Sequence, residues 1–201
     1  KDLDLINLNL NTLFVVILST FVLIVFSFLT NYGNRVSKSK LLEYLNTFSI
    51  SGYAIPGVIL AVALISFFAW LSDLMNFLFG IASIKSIFIG SVFGLVVAYF
   101  IRFYSLAFNG IKSGYSKINQ SIDESSYLLG YSKFRTFRKI HLPYLKNSVL
   151  LIGILIAIEI IKELPITLIL RPFNFDTFST KAYAYASQDL LEAAALPSLF
   201  L

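Results

Sequence analysis

Residues Leu13–Leu29 read LFVVILSTFVLIVFSFL, seventeen positions without a charged side chain. As a helix rising about 1.5 Å per residue, this run approaches the roughly 30 Å of a bilayer's hydrocarbon core. Three more runs are long and predominantly apolar: Ser51–Leu71, Ile84–Ala107 and Val149–Leu170. A fifth begins near Leu190 and stops at Leu201. It is too short to span, and reads either as a surface helix or, the favoured expectation, as the start of a span in a chain that continues. With 57% hydrophobic residues, 13% charged residues and a mean hydropathy of +0.79, the composition is that of an integral membrane protein. The alternating ten-residue segments of a membrane barrel are absent. The sequence therefore predicts an all-α fold, a polytopic transmembrane helix bundle.

Charge sorts the gaps between the runs. Lys1, Asp2 and Asp4 balance to −1 before the first run, and Arg35, Lys38, Lys40 and Glu43 leave +2 in the gap after it. Asp73 and Lys85 cancel in the next gap. In the third, Lys112, Lys117, Lys133, Arg135, Arg138, Lys139 and Lys146 against Asp123 and Glu124 leave +5. Beyond the fourth run, Arg171 and Lys181 against Asp176, Asp189 and Glu192 leave −1. Basic gaps alternate with neutral or acidic ones. The positive-inside rule then places residues 31–50 and 108–147 in the cytoplasm and the N-terminus of the chain outside. Positive charge arranged this way faces anionic lipid and argues against a nucleic-acid partner. The absence of cysteine excludes thiolate metal sites and disulfides, and a single histidine argues against a histidine metal cluster. The opening Lys-Asp-Leu-Asp-Leu lacks the pattern of a signal peptide.

The third gap holds the most specific spacing. It reads Glu124-Ser125-Ser126, then Gly130, then Ile140-His141-Leu142-Pro143. Ser121 and Glu124 have capping-box spacing, which predicts a helix with Ile122, Tyr127 and Leu128 on its apolar side. Gly130 can take a positive φ and end it. Ser132 is predicted to cap a second short helix bearing Phe134, Phe137 and Ile140. Pro143 marks the point where the chain turns back into the membrane. Taken alone, this is also the pattern of an interfacial amphipathic helix with a basic side.

The spacing of Glu124, Gly130, Ile140, Leu142 and Pro143 resembles the EAA loop of bacterial ABC importer permeases, with Ser125 and Ser126 in place of two alanines. Tyr53-Ala-Ile-Pro-Gly57, Lys162-Glu-Leu-Pro165, the stretch Leu170–Thr177, Ala184-Tyr-Ala-Ser187 and Glu192-Ala-Ala-Ala-Leu-Pro197 extend the likeness over nearly the whole chain. These segments are similar to ferric iron(III) importer permeases, long proteins with two homologous halves. The resemblance implies a type I (MetI-like) importer fold in the bacterial inner membrane. Residues 1–201 then form one permease domain, most of a second half without its first helix and the end of its last. The missing other half, cytoplasmic ATPase subunits, an extracytoplasmic substrate-binding protein and the lipid bilayer are the implied partners.

In that family the loop, here residues 121–143, docks into the ATPase. The coupling residues it implies are Glu124, Gly130, Tyr131, Phe134, Ile140, Leu142 and Pro143. His141 falls at a variable position and reads as a bystander. The chain has no phosphate-binding loop: Gly110-Ile-Lys-Ser-Gly-Tyr-Ser-Lys117 lacks the Gly-Lys-Ser/Thr ending. It therefore carries no ATPase site and no cofactor of its own. ATP and Mg²⁺ belong to the partner.

Charged residues within a membrane span usually face a bundle interior or a water-filled route. Glu159, Lys162 and Glu163, three and four positions apart, are predicted to share one inward face. They form either an internal ion pair that fixes packing or the polar lining of a translocation path. Pro165 predicts a kink beside them. Gly90 and Gly94 suggest a close helix contact, and Pro56-Gly57 an irregular entry to the second span. Arg171 and Asp176 are expected outside, meeting the binding protein or pairing with each other. Glu159, Glu163, Tyr183 and Tyr185 carry oxygen donors, but none is assigned as a metal ligand. Iron as cargo rests on the resemblance alone, and thiamine, polyamine, phosphonate and sulfate permeases share the architecture. A membrane enzyme using Glu159, Glu163 and His141 is disfavoured because the histidine and the carboxylates belong to different regions of the predicted topology. An ATP-independent channel or scaffold is the remaining reading.

Overall fold

The computed structural model describes residues 2–37, 44, 51–80 and 88–201. Every regular element among them is helical. Helix α1 runs Asp2–Ser37, well beyond the predicted 13–29 at both ends. On its polar flanks side chains bond back to the preceding turn, which satisfies them without leaving the helix. Thr12 Oγ1 donates to the Leu8 carbonyl at 2.7 Å, and Asn31 Nδ2 to the Ser27 carbonyl at 2.8 Å. Lys38, Lys40 and Glu43 lie outside the described residues.

A 3-10 turn at Ser51–Ala54 precedes helix α2, Gly57–Phe79, so the second span does begin irregularly. Pro56 occupies its N-cap, and Gly80 ends it in the left-handed conformation. Helix α3, Val92–Tyr115, sits later in the sequence than the predicted 84–107. Residues 84–87 lie outside the described residues. Gly90 takes φ +68°, and Ser91 Oγ accepts from the Gly94 amide at 3.0 Å, which sets the helix start at Val92. Gly90 and Gly94 therefore do not form a pair on one helix, contrary to the sequence reading. The small pair that packs is Gly110 and Gly114. A Cβ at Gly110 would lie 2.1 Å from Ile152 Cδ1, and one at Gly114 2.8 Å from Leu145 Cδ2. The string Gly110–Lys117, rejected above as a phosphate-binding loop, thus begins inside α3, where glycine serves packing.

Helix α4, Gln120–Leu128, and helix α5, Lys133–Thr136, follow. Then come a π-helical segment, Phe137–His141, and helix α6, Leu142–Lys162. Helix α5, the π segment and α6 are continuous, and Lys133–Lys162 is long and apolar enough to cross a membrane. Pro143 therefore does not turn the chain, as the sequence suggested. It lacks an N–H and its ring crowds the carbonyl four residues back, that of Lys139. That carbonyl lies inside the π segment, where the Leu142 amide bonds the Phe137 carbonyl instead, and the wider turn accommodates the proline.

The predicted span Val149–Leu170 is interrupted rather than merely kinked. Helix α6 stops at Lys162 and Pro165 opens helix α7, Pro165–Leu170. Helix α8, Phe178–Ala186, starts at a capping box on Thr177 and Thr180. Helix α9, Leu191–Ser198, is 8 residues long where a partial span was expected, too short to cross. Among the described residues four helices have the length and hydropathy to span: Leu5–Ser37, Gly57–Phe79, Val92–Tyr115 and Lys133–Lys162.

The chain divides into two compact units. The first comprises Lys1–Thr20, Ala54–Arg102 and Ala157–Leu201. Its core includes Val15, Ala61, Leu64, Phe68, Leu95, Ile166 and Leu170, and the Phe178 amide donates to Thr12 Oγ1 at 3.2 Å to seat α8 on α1. The second comprises Phe21–Tyr53 and Phe103–Ile156. Phe28, Ile111, Tyr115, Ile118 and Leu145 form its core, flanked by Tyr32, Phe137 and Val149.

Candidate functional site

In the second unit the loop at 121–143 folds as a helix, a tight turn and a helix, as predicted. Its cap differs from the prediction. Asn119, not Ser121, is the N-cap of α4, and its side chain accepts from the Ser121 amide at 3.2 Å. Asparagine competes strongly for this position, so the helix starts two residues early and the Ser121–Glu124 box does not form. The exit is as expected. Gly130 has φ +78°, its amide bonds the Tyr127 carbonyl at 2.9 Å, and the Tyr131 amide bonds the Ser126 carbonyl at 3.0 Å. This is a Schellman turn. Ser132 caps α5, accepting from the Arg135 amide at 3.3 Å.

The sequence leaves the orientation of α4 open. Its buried residues are polar, Asp123 and Ser126, while its predicted apolar side faces outward. Leu128 is 90% exposed, Leu129 77% and Phe134, just past the turn, 71%. Inside, Ser126 Oγ meets Thr136 Oγ1 at 2.8 Å, and Tyr32 OH donates to the Lys133 carbonyl at 2.7 Å. The Asp123 carboxylate receives Arg35 Nε at 2.6 Å on one oxygen and His141 Nε2 at 2.6 Å on the other. His141 is only 1% exposed, so it is a packed internal residue rather than a bystander.

The predicted coupling residues divide among three settings. Tyr131 and Ile140 line an open groove of about 500 Å³ with Ile122, Leu129 and Lys139. Tyr131 is half-buried and stacks under Arg135, whose guanidinium lies 4.4 Å from its ring centroid. Glu124 lines a separate recess of about 180 Å³ with Arg35, Tyr127 and Lys133. Phe134, Leu142 and Pro143 are exposed, and Gly130 sits at the tip of the turn. Leu128 and Leu129 were missed as surface knobs. Their signal was two leucines directly before a helix-ending glycine in a basic gap.

In the first unit, the predicted path residues do not share a face. Lys162 Nζ lies 3.7 Å from Glu159 Oε1, and these side chains are 50% and 31% exposed. Glu163 has left the helix and turns inward, at 8% exposure. It accepts from Arg102 Nε at 3.2 Å and from the Ile166 amide at 3.3 Å. Arg102 also donates to the Ile55 carbonyl. Gly57 lies beside this carboxylate, since a Cβ there would be 2.7 Å from Glu163 Oε1. The break before Pro165 is the physical reason for the separation, because it ends the helical register that would have aligned Glu163 with Glu159. Arg102 was overlooked in the sequence, although a lone arginine in an apolar run was its signal. Arg171 and Asp176 pair with each other, Lys181 Nζ lies 3.8 Å from the same aspartate, and burial lowers the Arg171 pKa. Among the described residues no group of three or more His, Cys, Asp or Glu is placed to hold a metal ion.

An all-α membrane bundle with this loop defines a class. Residues 24–185 match the family model for the binding-protein-dependent transport system inner membrane component, and the chain belongs to that family. It is a transport permease family, not an enzyme family. Among curated proteins, the chain is 26% identical over 146 residues to the Fe(3+)-transport system permease protein FbpB 2 of Haemophilus influenzae. The match covers 72% of this chain and 26% of that protein, so the chain spans about a quarter of its relative's length.

Proposed function

We propose that this chain is the ATPase-coupling portion of an ABC importer permease of the bacterial inner membrane, with ferric iron as its cargo. The observation that carries the reading is α4 itself. It is held to its own chain by buried polar groups, while Leu128, Leu129 and, past the turn, Phe134 stand exposed in a stretch of sequence that also carries Lys133, Arg135 and Arg138. Apolar residues presented on a well-fixed turn suit a protein partner, which here is the cytoplasmic ATPase that binds ATP and Mg²⁺. Glu124, Gly130, Tyr131, Phe134, Ile140, Leu142 and Pro143 act in this contact, joined by Leu128 and Leu129.

Of the predicted path residues, Glu159 and Lys162 belong to the polar route, and Glu163, turned inward onto Arg102, supports it from the buried pair. The partly exposed Glu159–Lys162 pair lies on a span where lipid would be an unfavourable neighbour, which supports its being covered by the other permease half. The charge alternation supports a cytoplasmic loop at 108–147 and an N-terminus outside, where the substrate-binding protein docks. The likeness to an Fe(3+) permease supports iron.

Glu124→Lys tests the docking. Uptake is expected to fall and the ATPase subunit to dissociate while membrane insertion is unchanged; normal uptake refutes the assignment. Uptake of radiolabelled ferric iron that disappears on deleting the permease gene tests the cargo. Loss of thiamine, polyamine, phosphonate or sulfate uptake instead moves the protein to that substrate.

A further inference from the structure

We propose that Asp123 is the positioning residue of this loop, locking α4 to α1 and to the start of α6 so that motion imposed on the loop reaches both helices together. The inference rests on the docking role proposed above but concerns a residue outside the predicted coupling set. It begins from how α4 is held. Its inward residues are Asp123 and Ser126, so apolar burial contributes little to its attachment. Apolar contacts slide at small cost, whereas short charge-assisted hydrogen bonds fix both distance and direction.

Asp123 has two partners, from opposite ends of the unit's sequence. Arg35, in the last turn of α1, approaches one carboxylate oxygen at 2.6 Å. Its guanidinium also donates to the carbonyls of Ile118 at 2.9 Å and Asn119 at 3.1 Å, which fixes the link between α3 and α4. His141 holds the other oxygen at 2.6 Å and closes the π segment that runs into α6. Its ring is set edge-on against Tyr32 and Tyr115, with centroids 5.5 and 5.4 Å away. Adjacent helical residues point about 100° apart. That divides Asp123 from Glu124: the first is buried in the clamp, and the second is exposed for a partner. One helix thus separates an anchoring carboxylate from a docking carboxylate.

The test uses the full-length permease assembled with its ATPase and binding protein in nanodiscs and proteoliposomes. This chain contributes no cysteine. With any cysteines of the other subunits and segments replaced, spin labels at Ser37→Cys and Ser121→Cys, both exposed, report the distance from the end of α1 to α4. In Asp123→Asn, the distance distribution is expected to broaden. The ATPase should copurify at wild-type stoichiometry, and solute transported per ATP hydrolysed should drop roughly tenfold. Arg35→Lys, which keeps the charge but not the fork, should lie between Asp123→Asn and wild type. A distribution as narrow as wild type with unchanged coupling overturns the proposal. So does a uniform loss of membrane level, ATPase binding and transport in both variants, which marks a merely structural contact. If Asp123→Asn does not accumulate, Arg35→Lys and His141→Gln each remove one arm and are read the same way. If Glu124→Lys leaves the ATPase attached, the docking role fails, while the label distances still decide whether Asp123 holds α4.

Discussion

Replacing Arg102 by leucine removes the only cation placed on the buried Glu163 carboxylate among the ion pairs of the described residues. The carboxylate would keep one donor, the Ile166 amide at 3.3 Å, at 8% exposure. Breaking such a pair from one side costs about 3–5 kcal/mol. The Arg102 side chain is 20% exposed, which favours the lower end of that range, and the Ile55 carbonyl also loses its donor, adding about 1 kcal/mol. We expect Arg102→Leu to lose about 4 kcal/mol. Adding Glu163→Gln removes the stranded charge but leaves an oxygen for the Ile166 amide. The double variant should lose only about 1–2 kcal/mol, because removing both charges avoids the cost of an unpaired one. The assay is SDS-titrated unfolding of the detergent-solubilised permease, followed by helical circular dichroism. A single variant within about 1 kcal/mol of wild type, or a double variant as unstable as the single, refutes the reasoning.

Other substitutions separate packing, turn and docking. Gly130→Val puts a β-branched residue at φ +78° and should destabilise the loop by at least 1–2 kcal/mol, roughly, with Gly130→Asn milder; hydrogen exchange of α4 measures both. Gly110→Leu drives a side chain into Ile152 and should cost about 1–3 kcal/mol in the same SDS titration, whereas Ser113→Leu on the exposed side should be near neutral. Leu128→Ser with Phe134→Ala should weaken ATPase copurification about tenfold or more and leave the unfolding midpoint unchanged, since both side chains are exposed.

The loop shows where legibility in the sequence stopped. Its turn was readable because Gly130 and Ser132 act on their immediate neighbours. Its cap was misplaced because Asn119, Ser121 and Glu124 all suit a helix start, and the choice depends on where α3 ends. The facing of α4 was not legible because an apolar stripe looks the same whether it packs on its own chain or awaits another. At the polar cluster, helical spacing joined Glu163 to Glu159 and Lys162, but that spacing assumes an unbroken helix.

The sequence by itself determined the class, the number of long apolar helices, the alternation of charge and the glycine turn. These are properties of consecutive residues: hydropathy, net charge and local φ preference. Only the tertiary structure decided the partners of Arg35 and Asp123, 88 positions apart, and of Arg102 and Glu163, 61 positions apart. It also decided which of two adjacent carboxylates, Asp123 or Glu124, is buried. Such pairings depend on which helix faces meet, and that is set by packing around Gly110, Gly114 and the break before Pro165 rather than by any local pattern.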